Sequence, residues 1–162
     1  MEDGDVPLLH RWRHEPHVQR WWYEDDGSEP TLEVVRRNYG PTEDEPERRF
    51  MILLDEKPIG YIQTYLLADY PDFRDVLQEE GAGIDLFIGE SDLINRGVGT
   101  RVIQQFVDEI VFADPAIDVC IIDPEATNAA AIRAYEKAGF VPLRTVDVPG
   151  EPAPSLLMRK TR

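Results

Sequence analysis

Apolar positions change their spacing along the chain, and the changes divide it into elements. Behind Pro16, Val18, Trp21 and Trp22 recur at helical spacing, which predicts a short helix ending near Tyr23. Thr31 is placed as the N-cap of a second helix with Leu32, Val35 and Tyr39 on one face, stopped by Gly40-Pro41. Val6 to Leu9 reads as a further short strand. The runs Phe50 to Leu54 and Ile59 to Leu67 flank the turn Asp55-Glu56-Lys57-Pro58, a hairpin signal. A polar connection, Asp69 to Gly81, leads to the apolar run Ile84 to Ile88. Beyond Gly97-Val98-Gly99-Thr100, the residues Val102, Ile103, Phe106, Ile110 and Val111 make a helical stripe about four turns long. A strand (Val119 to Ile122), a helix (Asn128 to Ala138, stopped by Gly139) and two strands (Phe140 to Val148 and Ser155 to Arg159) close the chain. The order α-α-β-β-β-α-β-α-β-β predicts an α/β (α+β) domain whose mixed sheet is mostly antiparallel and flanked by helices.

Composition adds bounds. At 162 residues, with no repeat and no Gly/Ser-rich linker, residues 1–162 are expected to form a single domain with a core of its own. The single cysteine, Cys120, lies in an apolar run and reads as a core residue of a reducing compartment. The opening Met1-Glu2-Asp3-Gly4-Asp5 has no basic region followed by an apolar one, and no run approaches the ~18 apolar residues of a membrane span. A cytoplasmic protein without a membrane partner is the expectation. Against 17 basic residues stand 32 acidic ones, a net charge of −15. That balance opposes phosphate-backbone binding, so no nucleic acid is expected. It leaves two meanings open, solubility or a cationic ligand. The acidic runs Glu24-Asp25-Asp26 and Glu43-Asp44-Glu45 read as solvated loop charge. His10, His14 and His17 have no carboxylate or Cys set beside them, so no metal site is expected.

Two segments carry candidate chemistry. Arg96-Gly97-Val98-Gly99-Thr100-Arg101 opens a helix with two glycines and two of the few positive charges. Glycines let the backbone approach a ligand, and the unpaired N–H groups of a helix start favour phosphate. The stretch lacks both the Gly-Lys-[Ser/Thr] ending of a Walker loop and the third glycine of a dinucleotide fingerprint. In the second segment Asn128 can cap its helix, and Tyr135 follows two turns later on the same face.

Gly97-Val98-Gly99-Thr100, combined with Asn128, Ala131, Tyr135, Lys137, Ala138, Gly139 and Phe140, resembles the signature of the GNAT superfamily of acetyl-CoA-dependent N-acetyltransferases. Trp12, Pro16-His17-Val18, Trp21-Trp22, Pro30-Thr31-Leu32, Pro58-Ile59-Gly60-Tyr61, Gln63, Tyr65, Gly83-Ile84-Asp85 and Asp123-Pro124 extend the likeness to the aminoglycoside 6′-N-acetyltransferases. It covers nearly the whole chain from about His10. Where that family often has Gln or Arg, three residues before the first glycine, this chain has Ile94. Pro16-His17-Val18 and the tryptophans are also similar to siderophore-pathway N-acetyltransferases acting on a lysine-type amine.

The resemblance implies a sheet splayed in its middle, with acetyl-CoA as co-substrate, no metal, and a monomer or homodimer. Backbone groups of Phe87 and Ile88 would pair with the pantetheine amides, the pyrophosphate would rest on residues 97–101 beside Arg96, and Asn128, Ala131 and Tyr135 would flank the arm. Asp85 is expected to hold the attacking ammonium and accept its proton, directly or through water, and Tyr135 to protonate the departing sulfur. Asp123 would hold a second ammonium or hydroxyl, and Trp21, Trp22 and Tyr65 are the candidates to line the substrate, although the adjacent Trp21 and Trp22 cannot share one helix face, so that one of them is expected in the core and the other as the substrate wall. Asp85 and Asp123 also have a plain reading as strand-end carboxylates, and Tyr135 as a packed helical aromatic. The function implied is transfer of acetyl to an amine of a polycationic aminoglycoside. The alternatives are another primary amine, such as a siderophore lysine or polyamine, or a CoA-binding module without turnover.

Overall fold

The computed structural model describes residues 1–24, 27–41 and 46–162, and these divide into two compact units. One comprises Met1–Gln63 and Leu86–Ile94, the other Thr64–Asp85 and Asn95–Arg162. Among the described residues no helix is long and apolar enough to cross a membrane. Among the described residues six strands pair in the order β1-β2-β3-β4-β6-β5, parallel and antiparallel pairs together.

In the first unit, α1 (Val6–Arg13), α2 (Pro16–Gln19) and α3 (Leu32–Tyr39) precede β1 (Arg48–Leu54) and the start of β2 (Lys57–Leu66). Val6–Leu9, expected as a strand, is the first turn of α1. Pro7 presets the helical φ, and Val6 and Leu9 are buried at helical spacing with Trp12 one turn further on. The α3 expectation holds: Thr31 Oγ1 accepts from the Val34 N–H at 3.3 Å, and Gly40 follows the helix. Val35 is buried, whereas Leu32 on the same predicted face stays exposed. The hairpin turn is tighter than expected. Only Asp55 and Glu56 form it, both at positive φ (49° and 64°), the twist that matches paired strands, so Lys57 and Pro58 already belong to β2. Val6, Leu9, Trp12, Val18, Val35, Tyr61 and Phe87 make the core of this unit.

Glu24 overturns its reading as solvated charge. It is buried, accepts from Arg13 Nε at 3.2 Å, and its other oxygen accepts from Asn38 Nδ2 (2.8 Å) and the Tyr39 hydroxyl (3.1 Å). A carboxylate can leave water only when its charge and lone pairs are met in this way. Asp25-Asp26 and Glu43-Asp44-Glu45 lie outside the described residues.

The second unit holds the rest of β2, α4 (Pro71–Leu77), the start of β3 (Ala82–Ile88), α5 (Val98–Phe106), β4 (Val119–Ile122), α6 (Ala129–Lys137), β5 (Val141–Val146) and β6 (Ser155–Thr161). The α4 helix occupies the connection read as polar, with Pro71 in its first turn and Leu77 buried. A turn of π-helix, Val107–Val111, continues α5 and keeps Val107 and Val111 buried. Strand β4 pairs antiparallel with β6, and β6 with β5. Leu67, Leu77, Ile121, Val146 and Leu157 form a core here.

Candidate active site

Strands β3 and β4 run parallel, with Ala82 opposite Cys120 and Gly83 opposite Ile121. Side chains two apart on a strand share a face, so Asp85 and Asp123 stand on the face of Gly83 and Ile121, just past this short ladder. Both are partly exposed. Crowding by protein atoms, then the Asp85 carboxylate, then Glu151 raise Asp123 well above the ordinary carboxylate range. Two carboxylates in one place resist ionising together, and a bound cation relieves both.

Two phenols share this field. Tyr135, on α6, is buried, and desolvation together with Asp85 and Asp123 pushes its hydroxyl up, so that it stays protonated. Its helix begins where Asn128 Oδ1 accepts from the Ala131 N–H at 3.1 Å. Gly139 (φ 98°) ends the helix, and the Phe140 N–H returns to the Tyr135 carbonyl. Tyr65 is raised by burial and by the same two carboxylates. Its ring lies across Gly83, where a Cβ would stand 2.5 Å from the ring carbons, so only glycine admits the phenol at this place. Cys120 is fully buried and its thiol is pushed up, an inert core position as read from its apolar neighbours.

At the start of α5, Gly97 is the N-cap at φ 75°, a left-handed conformation that glycine adopts without strain. A Cβ at Gly97 or Gly99 would meet nothing within 4 Å, so a ligand can lie on this backbone. Helix-start N–H groups of Val98, Gly99 and Thr100 and the exposed cations Arg96 and Arg101 fit a phosphate-bearing group. The helices α5 and α6 are tied by Gln104 Nε2 donating to the Lys137 carbonyl at 3.0 Å. A cavity of 720 Å³ lined by Arg74, Asp75, Gln78, Glu79, Glu80 and Val119 contains none of these groups.

The remaining candidates belong to the first unit. Trp22 sits among aromatic rings, 4.9 Å from Phe87 and 6.1 Å from both Tyr39 and Tyr61, and its indole N–H donates to the Tyr39 hydroxyl. Trp21 carries the Arg20 guanidinium over its ring at 4.7 Å. Phe87 is core and turns its carbonyl toward β2, while the Ile88 carbonyl accepts from His17 Nε2 at 2.9 Å. Sequence reasoning missed two contributors. Glu151 bears on Asp123 and was signalled only by the Pro149-Gly150 turn that carries it. His17 was noted for its motif and given no role there.

The acetyltransferase (GNAT) domain profile matches residues 2–148. The aminoglycoside N(6′)-acetyltransferase type 1 of Klebsiella pneumoniae is 32% identical over 157 residues, 94% of this chain and 77% of that protein. A solved structure of AAC(6′)-Ib with paromomycin and acetyl-CoA matches at a TM-score of 0.84 and 30% identity, covering 100% of this chain and 90% of that one. Another, of AAC(6′)-Ib with coenzyme A and kanamycin, matches at 0.83 and 30%, covering 100% and 92%. With the profile spanning most of its length, the chain belongs to the GNAT acetyltransferase family.

Proposed function

We propose that this chain is an aminoglycoside 6′-N-acetyltransferase, one acetyltransferase domain over residues 1–162, that confers resistance by acetylating a primary amine of the antibiotic. The observation that carries the reading is the facing of Asp85 and Asp123, whose mutual repulsion a polycationic substrate removes. The complex of a relative with coenzyme A and kanamycin supports the same substrate pair.

Acetyl-CoA supplies the acetyl group as a thioester. The backbone of Gly97, Val98, Gly99 and Thr100, with Arg96 and Arg101, holds the phosphates. Asn128 and Ala131 line the arm from α6. Asp85 holds the incoming ammonium and takes its proton, and Tyr135, kept protonated by its surroundings, gives a proton to the departing sulfur. Asp123 holds a second ammonium, and Tyr65 provides a ring surface for the substrate. Holding the two reactants together is itself worth about 7–11 kcal/mol of barrier.

The test is thiol release from acetyl-CoA with a panel of kanamycin-type aminoglycosides, lysine derivatives and polyamines. Turnover is expected with aminoglycosides bearing a free 6′-amine and not with one carrying a 6′-hydroxyl. No rate above background with any 6′-amino compound overturns the reading.

A further inference from the structure

The edges of β3 alternate residue by residue. The Gly83 carbonyl accepts from Thr64 Oγ1 at 2.9 Å, and the Gly89 N–H donates to the Ile59 carbonyl at 2.8 Å. A Cβ on Gly60 would lie 2.3 Å from the Phe87 carbonyl oxygen. Residues 83, 87 and 89 therefore face β2 without a change of phase. Because a strand residue turns its N–H and C=O to the same edge, Leu86 and Ile88 present theirs to the opposite edge. On that edge a side chain of the chain itself is in place. A carbonyl can only accept, so the His17 Nε2 facing it at 2.9 Å carries the proton.

The neighbours of this contact hold it still. Val18, the next residue of α2, is buried in the core of the first unit. The fully buried Trp12 ring lies against Gly89 so closely that a Cβ there would come within 2.2 Å of the indole. Its indole N–H donates to Glu90 Oε1 at 3.0 Å, and Arg11 pairs with the same oxygen. Three successive residues, Ile88, Gly89 and Glu90, are thus each gripped by α1 or α2.

We propose that His17 is a positioning residue for the amide-bearing arm of acetyl-CoA: by holding the Ile88 carbonyl it fixes that peptide and ends the outward edge of β3 there, leaving the Ile88 N–H and the Leu86 groups as partners of the arm. The proposal rests on the acetyl-CoA reading above and adds to it a residue outside the carboxylates, the phenols and the phosphate loop.

Calorimetric titration with coenzyme A tests it, comparing the natural protein with His17→Ala, His17→Leu and His17→Gln, alongside amide hydrogen exchange at Ile88–Glu90. Loss of one net hydrogen bond in positioning is expected to weaken coenzyme A about 3- to 10-fold in H17A and H17L and to speed exchange at Gly89. H17Q, which keeps a donor, is expected to recover most of the affinity. The KM for acetyl-CoA rises in step, while the KM for the aminoglycoside stays unchanged. Unaltered or tighter coenzyme A binding by H17A and H17L overturns the proposal, the tighter case making His17 a competitor for the carbonyl. If the natural protein itself fails to bind coenzyme A, the acetyl-CoA reading falls and His17 loses this role with it.

Discussion

Two parts of the molecule bring carboxylates out of bulk water, and they do so in opposite ways. In the first unit Glu24 and Arg13 are buried as a pair, with Asn38, Tyr39 and the Trp22 carbonyl meeting the remaining lone pairs and protons. The Arg13 guanidinium also lies 5.8 Å from the Trp22 ring centre and 5.4 Å from that of Tyr39. In the second unit Asp85 and Asp123 are set beside each other, with Glu151 adding to the same negative field. The first arrangement closes its electrostatics internally and joins the segment after α2 to α1 and α3. The second sets like charges side by side, an arrangement that a bound cation relieves. Besides their greater exposure, what sets the carboxylates proposed to bind substrate apart from Glu24 is the sign of their neighbours.

Breaking the paired set has the largest expected effect. Glu24→Ala strands a buried guanidinium and is expected to lower stability by about 3–5 kcal/mol in denaturant unfolding, whereas replacing both partners with apolar residues of similar volume costs far less. If the single and double changes cost the same, the pair is not the organising contact. Next comes Tyr135→Phe, which removes the proton and little else. It is expected to lower kcat about 100-fold with a smaller change in KM, and an unchanged kcat removes the phenol from its role. Asp123→Asn probes the like-charge set. It is expected to weaken aminoglycoside binding about 10-fold while coenzyme A affinity is retained, and equal losses for both ligands point to a folding defect.

The same variant carries a pH signature. Asp123 is raised in the folded chain, so the stability it contributes is complete below the unfolded carboxylate pKa, about 4, and is lost as pH rises through the higher folded value. The natural protein is therefore expected to lose thermal stability over that rise relative to Asp123→Asn. Thermal melts of both across the acidic to neutral range check the sign, and parallel curves contradict it.

Much of this was legible in the sequence because it lies in local pattern. The cap at Thr31, the glycine stops after α3 and α6, the glycine turn before α5 and the β-rich runs all depend on neighbours a few residues apart. Val6–Leu9 misled because four residues fit a strand and a helix equally, and only burial beside Trp12 decides. Helix α4 was missed although Phe73, Val76 and Leu77 stand at helical spacing, because it is only seven residues long and set among acidic residues. Glu24 was misread because its partner stands eleven residues earlier, at the end of α1, and charge runs by themselves carry no record of pairing. The site residues were drawn from motif likeness. Their electrostatic coupling needed coordinates, as did Glu151, which reaches Asp123 from a distant turn.

The shortness of the β3–β4 ladder has one more consequence. Its register is Ala82 to Cys120 and Gly83 to Ile121, and carried forward two steps it would set Asp85 directly against Asp123. Like charges opposed across neighbouring strands repel, so each further pair that tried to zip would run into this obstacle. The two aspartates thus work against any lengthening of the ladder, so that the groups proposed to hold the substrate's ammonium groups would also set where strand pairing ends.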